Sequence, residues 1–178
     1  MFLAVALDDS CRNAIATHLE SLPDTCRLPG KPVPPENWHI TLRFLGPTSP
    51  AQRDRVVADL DQHTSVAPFR IRLGHLGGFP RESRASVLWV GATGNTEPLV
   101  TLAEACETAA QQAGFEPEER PFHPHLTLSR IRPPADVRPL IKLIPNAPIS
   151  IDVDAVTLYR SVGGNGPSHY EVIDGVGL

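Results

Sequence analysis

Two pentapeptides carry the residue types best suited to chemistry: Trp38-His39-Ile40-Thr41-Leu42 and Pro124-His125-Leu126-Thr127-Leu128. Each sets a histidine and a threonine two residues apart among apolar neighbours. Side chains alternate between the faces of a β-strand, so His39 and Thr41 share one face while Trp38, Ile40, Leu42 and Phe44 share the other. The second copy repeats the pattern, with His125 and Thr127 on one face and Leu126 and Leu128 opposite. Two imidazoles brought to one cleft suit in-line displacement at phosphorus. One neutral ring takes the proton from the attacking oxygen, and the other, protonated, gives one to the leaving oxygen. Histidine titrates near neutrality, so both forms are accessible, and the threonine hydroxyls can donate to phosphoryl oxygens where charge develops. This chemistry requires no metal or cofactor. A nucleophile elbow, a Walker loop and an HExxH helix are all missing from the sequence.

The elements that must position these residues recur. Phe2 to Leu7 reads as a strand, and Asp8 is placed to cap a helix reaching about Leu22. A proline-rich loop, Pro23 to Pro35, precedes the first motif strand, about Asn37 to Leu45. Pro50 opens a helix through Val56, Val57 and Leu60, followed by a strand from Phe69 to about Leu76. The second half runs through the same order: strand Ser86 to Gly91, helix Glu97 to Ala113 ended by Gly114, motif strand His123 to Ile131, a short helix to about Ile144, and a strand around Ile149 to Val153. The motif histidines are 86 residues apart. An internal duplication follows, with the chain as one domain, 1–178, of two lobes near 1–80 and 81–178. A closing hairpin is expected over 156–173, turning at Gly163-Gly164-Asn165-Gly166. Packing of the two units about a pseudo-two-fold axis would bring both motif strands to one cleft.

Composition narrows the setting. The chain has 178 residues, 41% of them apolar, which suits one globular domain. The apolar run Met1 to Leu7 lacks a basic lead and stops at Asp8-Asp9, so it reads as a first strand and not a signal peptide. Three cysteines, odd in number and without CxxC spacing, point to a reducing cytoplasm. A net charge of −4 excludes a protein that coats nucleic acid by long-range attraction, and predicts that any RNA contact is local, with a shallow salt dependence. Fourteen arginines against two lysines favour bidentate phosphate contacts.

The paired motifs, each an apolar residue, His, any residue, Thr and an apolar residue, resemble the signature of the 2H phosphoesterase superfamily. More narrowly, the chain resembles the RNA 2′,3′-cyclic phosphodiesterases, also called 2′-5′ RNA ligases. The resemblance extends to Val33-Pro34-Pro35-Glu36-Asn37-Trp38, Phe44-Leu45-Gly46, Gly78-Phe79-Pro80 before Val87-Leu88-Trp89, Leu158-Tyr159-Arg160-Ser161 and Tyr170-Glu171-Val172. It implies an α+β, bilobal fold of two antiparallel sheets lining a central cleft, with helices outside. It also implies hydrolysis of a terminal ribose 2′,3′-cyclic phosphate to a 2′-phosphate, or, run backward with an RNA 5′-hydroxyl, formation of a 2′-5′ linkage. On that pattern His39 is the general acid toward O3′, His125 the general base toward water, and Thr41 and Thr127 hold the phosphate. The expected partners are RNA ends or nucleotides bearing the cyclic phosphate, met by a monomer away from any membrane. Two rivals stand beside this: a phosphodiesterase for 2′-5′ oligonucleotides or another small cyclic phosphate, and an RNA-binding module that keeps the cleft without turnover.

Further residues are candidates for holding substrate. Arg43 shares the face of His39 and Thr41 by strand parity. Arg130, five residues after His125, falls on the opposite face unless the strand bulges, although the family resemblance places an arginine there. Arg81 and Arg84 follow Phe79-Pro80, where they could meet an RNA backbone while Phe79 offers a stacking surface. His123 with His125 could suggest a metal pair, but no third ligand is apparent, and no metal site is expected.

Overall fold

Local punctuation sets the helices. In α1 (Asp9–Glu20) the Asp8 carboxylate accepts from the Cys11 amide at 2.6 Å and satisfies one of the open donors of the first turn. In α2 (Pro50–His63) Ser49 and Gln52 form a reciprocal capping box, with a proline in the first turn. The longest, α3 (Glu97–Gln112), ends before Gly114, which takes φ +87°, a conformation that costs glycine nothing. A short α4 spans Arg138–Leu143. The computed structural model describes residues 1–146, 149–163 and 169–178.

Among the described residues nine strands form one antiparallel sheet: β1 (Phe2–Ala6), β2 (Lys31–Pro32), β3 (His39–Phe44), β4 (Phe69–Phe79), β5 (Ala85–Thr93), β6 (His125–Ala135), β7 (Ser150–Val153), β8 (Ala155–Val162) and β9 (His169–Gly177). Their order is β7-β4-β5-β6-β3-β1-β8-β9, with β2 added alongside β6. The expected pair of sheets is thus two four-stranded halves of a single sheet. The motif strands β3 and β6 lie at the inner edges and meet through one registered pair, Ile40 with Leu126. The halves do not follow the division of the sequence near residue 80. Strand β4 pairs with β5 and β7, while β8 returns to pair with β1 and carries β9 on its far side. The closing hairpin is present as β8 and β9, but Gly164, Asn165 and Gly166 of its turn lie outside the described residues.

One sheet face packs against the helices. Leu3, Ile40, Ile71, Leu126 and Leu158 from the strands meet Leu99, Leu102 and Cys106 of α3 and Val56 and Leu60 of α2. Burying one such leucine contributes about 2 kcal/mol, so this layer holds the motif strands against α2 and α3. All three cysteines are buried free thiols, and burial pushes Cys106 up to about 12 and Cys11 to about 11. Among the described residues no helix is long and apolar enough to cross a membrane.

Candidate active site

The seam between the half-sheets places the motifs. Ile40 and Leu126 are equivalent by the 86-residue repeat, so a pseudo-two-fold axis passes between them. The antiparallel register centred on this pair carries His39 across from Thr127 and Thr41 across from His125. Each motif then faces its own histidine toward the other motif's threonine.

Both motif strands carry an extra residue just beyond the threonine. On β3, Leu3 pairs with Arg43 but Ala4 pairs with Thr41, so Leu42 is bulged. On β6, Leu88 pairs with Ser129 but Trp89 with Thr127, so Leu128 is bulged at the equivalent place. A bulge reverses the alternation beyond it. Arg43 therefore leaves the cleft face, contrary to strand parity. Its guanidinium is buried against α3, ion-paired with Glu107 and donating to the Phe44 and Glu116 carbonyls. Phe44, expected in the core, is instead 55% exposed at the cleft. The same reversal brings Arg130 into the cleft and buries Ser129.

The imidazoles are oriented alike. His39 Nδ1 donates to the Asn37 carbonyl at 2.8 Å, and His125 Nδ1 donates to the His123 carbonyl at 2.6 Å. A carbonyl only accepts, so the hydrogen is on Nδ1 and each neutral ring keeps a bare Nε2. At His39 this nitrogen accepts from the Thr41 hydroxyl at 3.0 Å. Among the described residues no such bond joins Thr127 to His125. Phe2 lies 4.8 Å from the His39 ring and Tyr170 5.2 Å, edge-on. Phe79 meets His125 edge-on at 4.9 Å, and Trp89 lies behind at 5.9 Å. Burial lowers the proton affinity of both histidines. His39 falls to about 4: burial depresses it, the Asn37 bond opposes this, and the positive charges of His125 and Arg130 press it lower. His125 is also lowered by burial, against its bond to the His123 carbonyl.

Both motifs open on one cleft of about 950 Å3, large enough for more than a single nucleotide. Its lining includes His39, Thr41, His125, Thr127, Phe79 and Arg130. Arg81 and Arg84, expected beside it, are not among the lining residues; Arg81 precedes and Arg84 ends a short helical turn, Glu82–Arg84, before β5. Lys31, Arg120 and Arg132 do line it, and among the described residues no aspartate or glutamate does. Among the described residues no cluster of histidine, cysteine and carboxylate side chains could hold a metal ion.

The family model for the 2′-5′ RNA ligase superfamily matches residues 9–165. The chain belongs to this superfamily. An RNA 2′,3′-cyclic phosphodiesterase of Aeropyrum pernix is 36% identical over 142 residues, covering 76% of this chain and 78% of that protein. The one from Escherichia coli is 31% identical over 174 residues, covering 96% and 91%. Among solved structures, E. coli LigT in its apo form superposes with a TM-score of 0.79 at 27% identity, covering 99% of this chain and 95% of that one. The same LigT has been crystallised with 3′-AMP, with a TM-score of 0.79 and 28% identity over 99% and 96% of the two chains.

Within this superfamily member, the residues that sequence reasoning missed owe their place to remote pairing. Lys31 reaches the cleft because a two-residue strand pairs with β6; a run so short has no periodicity to detect. Tyr170 arrives on the last strand, beside β8. The repeated Tyr-containing segments of the C-terminal hairpin were its only signal.

Proposed function

We propose that this protein hydrolyses the terminal ribose 2′,3′-cyclic phosphate of RNA to a 2′-phosphate. The observation that carries the reading is the convergence of two Nδ1-anchored imidazoles and two threonines on one carboxylate-free cleft, in a member of the 2′-5′ RNA ligase superfamily. Relatives of similar length named RNA 2′,3′-cyclic phosphodiesterase support the reaction class.

His125 Nε2 takes a proton from water as its oxygen attacks phosphorus in line. The P–O3′ bond breaks, and O3′ takes the proton carried by His39 Nε2. Thr41 and Thr127 donate to the non-bridging oxygens, and Arg130 offsets their charge. An RNA 5′-hydroxyl in place of water yields a 2′-5′ linkage by the same transfers. In the free protein His39 is the harder ring to protonate. The substrate supplies the missing incentive: a phosphate anion between His39 and Arg130 counters the burial and the neighbouring positive charge, so anion binding and proton uptake are coupled. The two imidazoles perform both proton transfers, so the reading calls for no metal, and it has the chain act as a monomer in the cytoplasm.

Product analysis tests it. EDTA-treated protein given a nucleoside 2′,3′-cyclic phosphate should release only the 2′-phosphate. Absence of turnover would replace this reading with that of an RNA-binding module, and a 3′-phosphate product would reverse the leaving group.

A further inference from the structure

Among the described residues, three cations on the β6 side of the cleft form no ion pair with an acid. Lys31 and Arg130 are direct cross-strand partners, and Arg132 follows Arg130 with Ile131 buried between them. All three line the cleft. Like charges opposite one another on paired strands are destabilising. Elsewhere six arginines, Arg12, Arg27, Arg53, Arg70, Arg138 and Arg160, each hold an aspartate or glutamate. Acids are not scarce, with 20 against 16 basic residues. Arg120 also borders the cleft, but Glu118 occupies its guanidinium at 3.0 and 3.1 Å. The juxtaposition of Lys31 and Arg130 also depends on Gly30. A Cβ there would stand 2.4 Å from the Arg130 carbonyl oxygen, and φ is +76°. Only glycine lets β2 come this close to β6.

We propose that Lys31 and Arg132 form a second phosphate subsite, which takes a backbone phosphate upstream of the reacting ribose and so selects oligoribonucleotide ends over mononucleotides. The inference rests on the proposed function in placing the reacting phosphate beside His39, His125 and Arg130. Arg132 lies two residues beyond Arg130 on β6 and lines the same cleft, so it extends the cationic row outward from Thr127 and Arg130. An RNA whose 3′ end occupies the histidines must carry its preceding phosphates away from them. This row supplies counter-charge along one such exit, at positions where no carboxylate competes.

Binding, measured apart from turnover, tests the subsite. Adenosine 3′-phosphate and an adenosine trinucleotide ending in a 3′-phosphate are titrated into the wild type, Lys31→Gln, Arg132→Gln and the double variant over a range of salt. The trinucleotide should bind the wild type about tenfold more tightly at low salt. Its log–log salt slope should be steeper by about 0.7 for each added phosphate contact. Each substitution should remove part of that advantage and flatten the slope by up to about 1, and Lys31→Gln should raise the melting temperature by relieving the repulsion from Arg130. Equal affinities and slopes for the two ligands, or an advantage that survives in the double variant, would overturn the subsite. Turnover of a nucleoside 2′,3′-cyclic phosphate is assayed on the same wild-type protein. Its failure would count against the proposed reaction alone, since the trinucleotide's advantage is read without it.

Discussion

His39 and His125 make the same hydrogen bond to a carbonyl two residues upstream, yet their surroundings differ. His39 is walled by Phe2, Tyr159 and Tyr170, residues drawn from both ends of the chain. His125 leans on Phe79 and Trp89, from the adjoining hairpin, and on His123. The residues buried behind the bulges differ more. Arg43 ties β3 to α3 through Glu107, whose other oxygen accepts from the Gln111 side chain at 2.7 Å and the Glu118 amide at 3.1 Å. Its counterpart Ser129 is buried, and among the described residues its hydroxyl has no hydrogen-bond partner. The repeated backbone thus keeps its two motif histidines in equivalent positions while their support diverges. Symmetry is retained where the reaction needs two matched groups, and lost where packing alone decides.

The largest expected effect falls on the shared property. His39→Ala and His125→Ala should each lower kcat for a nucleoside 2′,3′-cyclic phosphate by at least about 10²; loss in only one variant would show that the halves differ in function as well as in support. Arg43→Ala should cost about 3 kcal/mol of stability in denaturant, because it strands the Glu107 carboxylate in a partly buried site. Gly77→Ala should cost about 1–3 kcal/mol, since its Cβ would stand 2.2 Å from the Trp89 ring behind His125. The His39 pKa lies below its ordinary 6.5, at about 4, so its contribution to stability is present above pH 6.5 and lost as the pH falls toward 4. Urea unfolding across that window should therefore show less acid loss in His39→Ala than in the wild type. Ser129→Ala, the smallest change, should leave stability within about 1 kcal/mol, and an increase is the expected direction because an unpaired hydroxyl is removed.

The motifs, the cap at Asp8, the proline opening α2, the glycine after α3 and the α+β class were legible because each depends on neighbours in sequence. Strand parity placed His39, Thr41, His125 and Thr127 on one face, and the structure agrees. It failed one step later, at Leu42 and Leu128, where a bulge inserts one residue and exchanges the fates of Arg43 and Phe44. Nothing local distinguishes a bulged leucine from a regular one, because the choice is made by register with β1 and β5. The strand exchange between halves was illegible for the same reason: alternation identifies β4 and β8 as strands without naming their partners.

The pairing of β1 with β8 has a consequence for the order of assembly. Phe2 lies beside Tyr159 across that ladder, so β1 gains its second neighbour only after the much later strand β8 has been made. During synthesis β5 and β4 can pair as a local hairpin as soon as both have emerged, whereas the wall around His39 closes only when β8 and β9 return. Such long-range closure slows folding. The β4–β5 side of the cleft beside His125 can therefore form before the wall around His39 is complete.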